Sequence, residues 1–178
     1  MTSLALSRPT PTRRPAADLT AGFRLFLATG AAVVTLPILY ALARAATGVA
    51  PGGGALKEVA LAVHLATVVP ALPLGAFVLL GRKGDPRHRL LGRVWLCLML
   101  VAAISALGIR HINNGSFSAI HLLVPVVLVG SWRVVATARR GDIRAHRRTI
   151  LLMFTGGLLL PAVLAFAPGR LMWTWLLG

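Results

Sequence analysis

Acidic side chains are almost absent from this chain: four in 178 residues, against 19 lysines and arginines. They stand singly, at Asp18, Glu58, Asp85 and Asp142. No two are spaced for general acid–base work, and none falls in the middle of an apolar run, where an acidic proton relay would need it. Cysteine is nearly missing too. A lone Cys97 forms no internal disulfide and no thiolate metal site, and it reads as a small buried apolar residue. Neither a Gly-x-Ser-x-Gly elbow nor an H-E-x-x-H helix occurs, which places hydrolytic enzymes last among the candidates.

Apolar residues fill the space that charge leaves, at 57% of the chain. They gather in runs at residues 25–43, 59–81, 94–109, 112–132 and 149–169. A bilayer core takes about 20 apolar residues per helix. The third run reaches that length only if its helix begins near Leu90 and Arg93 snorkels to the interface. The sequence therefore predicts an all-α integral membrane protein, a bundle of five transmembrane helices over residues 23–178. Residues 1–22, rich in Pro, Thr, Ala and Arg, read as a disordered tail rather than a cleaved signal peptide.

The net charge of +15 is a matter of topology, not of nucleic-acid binding. Fifteen basic residues cluster in the tail and in the loops after the second and fourth runs; four, Arg44, Lys57, Arg110 and Arg170, fall on the other side. The positive-inside rule then sets the N-terminus in the cytoplasm and the C-terminus outside. Contact with anionic lipid is a secondary expectation. Trp95, Trp132, Trp173 and Trp175 read as an aromatic belt, and residues 171–178 as an interfacial tail. The arginine- and alanine-rich usage suggests a bacterial inner membrane. Pro70, Pro73, Pro125 and Pro161 predict close helix packing with the first helix more peripheral, and Ala102, Ala103, Ser105 and Ala106 close approach of the third helix.

Five histidines remain, and four form a pattern. His64 lies in the second run and His88 24 residues on, at the start of the third. His121 lies in the fourth run and His146 25 residues on, at the start of the fifth. Each pair flanks a basic Gly-Asp loop, and each copy runs on to a lone arginine, Arg110 or Arg170. The second and third helices, about residues 56–110, thus repeat as the fourth and fifth, about residues 113–170, in parallel topology. His64 and His121 fall at one membrane face, His88 and His146 at the other. Each pair could give two neutral imidazoles to one iron, so one or two haem b groups are the predicted cofactor. Two histidines without Cys, Asp or Glu make a poor zinc or copper shell. His88 and His146, flanked by arginines, read equally as headgroup contacts. His64 and His121 read as ligands; a merely structural role would draw on Thr67 and Ser118 as partners. His111 reads as a surface residue. Arg110 and Arg170 are candidate partners of haem propionates or of an anionic donor, as are Arg87, Arg89, Arg147 and Arg148 on the opposite face.

These stretches resemble a bacterial family of membrane proteins of unknown function. The residues that carry the likeness are His88-Arg89-Leu90-Leu91-Gly92 after the Gly-Asp loop, the Phe-Ser-x-Ile-His text at residues 117–121, and His146-Arg147-Arg148. The resemblance covers about three-fifths of the chain and implies a membrane location without an activity. In layout alone the chain is similar to the transmembrane two-haem cytochromes b of the ascorbate-reducible type, which carry four histidines on four consecutive helices. That likeness implies transmembrane electron transfer from a quinol or a soluble donor. The alternative is a haem-free protein, either a small transporter or a subunit of a membrane complex, and a homodimer is compatible with both.

Overall fold

The computed structural model describes residues 20–109 and 118–178. Five helices are long and apolar enough to cross a membrane: Ala21–Ala46, Val59–Leu80, Pro86–Ala106, Ile120–Arg139 and Ile143–Leu164. No strand occurs among the described residues. The first three are α1, α2 and α3. The fourth opens with a tight turn, Ala119–Leu122, and continues as α4, Leu123–Arg139. The fifth comprises α5, Ile143–Phe154, a π turn, Thr155–Leu159, and α6, Leu160–Leu164. A short α7, Leu171–Leu177, follows. The N-terminal tail up to residue 19, Arg110, His111 and Phe117 lie outside the described residues.

Two helix starts differ from the expectation, and both for the same reason. The third helix begins at Pro86 rather than near Leu90, and the fifth at Ile143, six residues before its apolar run. Each is preceded by a glycine in the left-handed region, Gly84 at φ 85° and Gly141 at φ 71°, and then by an aspartate that caps the helix. Asp85 accepts from the His88 amide at 2.7 Å, and Asp142 from the Ala145 amide at 3.0 Å. Pro86 sits in the first turn of α3, where its missing N–H costs nothing. Charged residues in a helix's first turns sit at the membrane surface and do not stop it, so hydropathy alone underestimates both lengths.

The π turn has a local cause. Pro161 carries no N–H for the carbonyl four residues back, at Gly157. The chain widens just ahead of it, and the Leu160 amide bonds to the Thr155 carbonyl instead.

α2 packs most extensively on α3, α4 on α5, α3 on α4, and α5 returns to α2, so these four close a ring. α1 lies outside it, packed on α2 and α7 through one stripe of buried residues: Leu27, Ala31, Val34, Ile38, Ala41 and Ala45. Arg24 at its start donates to the Leu80 carbonyl at the end of α2, 3.2 Å away. The arginine-rich loops that follow α2 and α4 share this end, hereafter the basic end. At the far end Arg44 donates to the carbonyls of Leu176 (2.6 Å) and Gly178 (2.5 Å), pinning α7.

Three expectations are corrected by the packing. Trp175 is 0% exposed and Trp95 1%, so both are core residues; Trp132 at 66% and Trp173 at 39% remain at the surface, where a belt would have them. The segment containing α7 is folded onto α1 rather than lying free in the interface. Cys97 is exposed on the outer, apolar face of the bundle instead of buried.

Candidate functional site

The first hairpin, α2 and α3, is stitched by two side chains that hydrogen-bond across to a backbone carbonyl, with the His88 ring set one further step along. His64 Nδ1 donates to the Ala102 carbonyl at 2.9 Å. Trp95 Nε1 donates to the Ala71 carbonyl at 3.1 Å. The His88 ring lies within electrostatic reach of the Val78 carbonyl, and its Nδ1 is buried without a hydrogen-bond partner. On α2 the participants are residues 64, 71 and 78; on α3 they are 88, 95 and 102. Both series advance by seven, the period at which two helices keep one face toward each other. At 1.5 Å per residue the rungs lie about 10 Å apart, and the two histidine levels about 21 Å apart.

The middle rung is tightly filled. A methyl group on Gly75 would lie 2.5 Å from Trp95 Nε1 and 2.7 Å from the Phe154 ring, so no other residue leaves this indole and this phenyl ring in place. Gly130 stands in the same relation to Met153 of α5, at 2.8 Å. Met153, like Trp95, follows the basic-end histidine of its hairpin by seven residues.

In the second hairpin His146 Nδ1 donates to the Val134 carbonyl of α4 at 3.0 Å. His146 thus reaches back to the preceding helix. His88 and His146 come from different hairpins and lie within electrostatic range of each other. His88 is the third residue of its helix and His146 the fourth, which accounts for the one-residue difference between the copies.

The far level is built differently. Ser105 Oγ stands 3.4 Å from His64 Nδ1 and donates to the same Ala102 carbonyl at 3.0 Å. Thr67, a candidate partner for His64, instead donates to the carbonyls of Val63 and His64. His121 is held within its own turn: Nδ1 accepts from the Ser118 amide at 3.0 Å, with Ser118 Oγ at 3.2 Å. Ser118 is thus the partner that the sequence suggested. An Nδ1 that accepts leaves the proton of a neutral ring on Nε2. His64 and His146 have the opposite tautomer, with Nδ1–H on a carbonyl and a lone pair on Nε2.

Metal-ligating histidines commonly donate their second nitrogen to a backbone carbonyl, which fixes ring orientation and tautomer. His64 and His146 meet that condition; His121 Nδ1 accepts from the Ser118 amide and also lies 3.2 Å from the Ser118 carbonyl. Among the described residues no three His, Cys, Asp or Glu side chains gather into a metal site, so the histidine pair is the largest donor set here. Arg170 is half-buried at the start of α7, at the far end with His64. Arg87, Arg89 and Arg148 are exposed at the basic end, with Arg147 half-buried beside them.

Five apolar helices with their apolar side chains turned outward define a multi-pass, all-helical membrane protein. The chain belongs to the family described as "Predicted membrane protein (DUF2306)", whose profile matches residues 61–167. That segment takes in both histidine hairpins and leaves out α1 and α7. No curated protein and no solved structure matches the chain.

Proposed function

We propose that the protein is a membrane-embedded, b-type cytochrome-like electron carrier in which His88 and His146 hold a haem at the basic end. The observation that carries this reading is the state of those two rings. His146 is anchored through Nδ1 to the Val134 carbonyl of the preceding helix, which leaves its Nε2 as a Lewis base. His88 has a ring nitrogen buried without a partner, and the two rings come from separate hairpins to within electrostatic range of each other. The buried, unpartnered Nδ1 of His88 is a group that a ligand would satisfy.

His88 and His146 would supply the two imidazoles of a haem site at this level, His146 through Nε2. A haem held there supplies a one-electron couple. The chain's own part would be to fix the His146 ring through Val134 and to offset propionate charge with Arg87, Arg89 and Arg147. Trp95 and Phe154 exclude water from the layer above. At the far level His121 Nδ1 accepts from the Ser118 amide at 3.0 Å, which disfavours the tautomer that ligates through Nε2. One haem is therefore proposed, not two, with His64 free to act as a staple. The parallel repeat of the hairpins is part of this reading, supported by the like Gly-Asp turns and the like Gly–bulky contacts. So is the orientation, with the basic end cytoplasmic as the positive-inside rule directs. A quinol or soluble donor would serve as electron source.

A second reading rests on the same hydrogen bonds. Trp95 makes the same kind of rung as His64 and His146, so the histidines can be helix staples in a haem-free transporter or complex subunit. Reduced-minus-oxidised spectra of protein purified from haem-supplied membranes separate the two. The haem reading predicts a low-spin b-type spectrum lost in both His88→Ala and His146→Ala and kept in His121→Ala. A folded, colourless protein refutes it and leaves the staples.

A further inference from the structure

Between α4 and α5, on the outside of the ring, lies a groove of about 900 Å³. Arg133 of α4 and Arg144 and Arg148 of α5 stand over its basic end. One acid, Asp142, joins them, but its carboxylate is turned to the Ala145 amide as a helix cap. Away from the arginines the lining becomes apolar, with Val126 and Val129 on one side and Leu152 on the other. Gly130 keeps the floor deep, since a methyl there would lie 2.8 Å from Met153. From Arg133 to Pro125 the groove follows eight residues of α4, about 12 Å.

We propose that this groove binds one anionic phospholipid, its phosphate under Arg133, Arg144 and Arg148 and an acyl chain along Val126, Val129 and Leu152. Basic pockets between membrane helices recognise anionic headgroups, and arginine suits phosphate because its planar fork can donate two hydrogen bonds at once. The apolar length beneath the arginines decides the occupant. A soluble phosphate would leave it bare. A second copy of this chain, itself at net charge +15, would bring basic loops against the three arginines. An anionic lipid meets both halves of the groove. The site is independent of the haem reading, because no histidine lines it.

The test is thermal unfolding of the full chain in detergent, titrated with phosphatidylglycerol, phosphatidylcholine or inorganic phosphate, with bound lipid counted by native mass spectrometry. The expected result is saturable stabilisation and one retained lipid with phosphatidylglycerol alone. Arg133→Gln and Arg144→Gln should each weaken the apparent affinity about fivefold, while Arg139→Gln, outside the groove, leaves it unchanged. Val129→Trp, which fills the apolar half without altering charge, should weaken it as well. Equal stabilisation by phosphatidylcholine or by inorganic phosphate, or affinity indifferent to Arg133, Arg144 and Val129, would overturn the proposal.

Discussion

Gly75→Ala is the smallest change that should damage this protein most. The added Cβ would stand 2.5 Å from Trp95 Nε1 and 2.7 and 2.9 Å from two carbons of Phe154. Both rings are fully buried, so neither can swing into free space. Overpacking of a tight interior costs about 1–3 kcal/mol. Moving the indole also breaks its bond to the Ala71 carbonyl, a further loss of about 1 kcal/mol. The sum, about 2–4 kcal/mol, is a large share of the stability of a small domain. Gly92→Ala is the matched control, since a methyl at Gly92 meets nothing within 4 Å. The nearest clashing atom is an indole nitrogen, so Trp95→Phe added to Gly75→Ala should restore part of the loss. Thermal unfolding in detergent, followed by circular dichroism, reads all four proteins. Equal stability of the Gly75 and Gly92 variants would refute the packing described for the middle rung.

The remaining predictions concern single hydrogen bonds. His64→Ala removes one far-level staple and should cost about 0.6 kcal/mol, up to about 1.7, the range for hydrogen bonds between membrane helices; denaturant titration of the folded state checks it. Asp85→Ala and Asp142→Ala each strip a helix cap and should each lose about 1 kcal/mol, read by the same titration. Arg44→Gln releases the carbonyls of Leu176 and Gly178 and should speed amide exchange in α7 while leaving α2 and α3 protected.

The sequence was most legible where composition does the physics. Apolar runs set five helices because a bilayer leaves backbone groups no other partner, and the Gly-Asp loops marked both basic-end turns. The depth of each histidine followed from helix rise alone. The acceptors Ala102, Ala71 and Val134 were not legible, because every residue carries a carbonyl and side-chain identity says nothing about which one is used. Trp95 was misread as interfacial for a related reason. It lies close to the basic loop in sequence, yet the heptad from His88 turns it inward. That seven-residue spacing was present in the text and could have identified it. The contacts of His121 depend on the Ser118 turn, a local geometry that pattern reading does not reach. The proposal accordingly rests on the basic-end pair, where the sequence expectation leaned toward His64 and His121.

The central claim is that His88 and His146 form a bis-imidazole haem site. Low-temperature electron paramagnetic resonance of the oxidised, purified full chain addresses it most directly, because two axial imidazoles give low-spin ferric iron. The account predicts a low-spin signal from one haem per chain, absent from His88→Ala and from His146→Ala and present in His121→Ala. A folded protein without iron, or a signal that survives loss of either basic-end histidine, would contradict it.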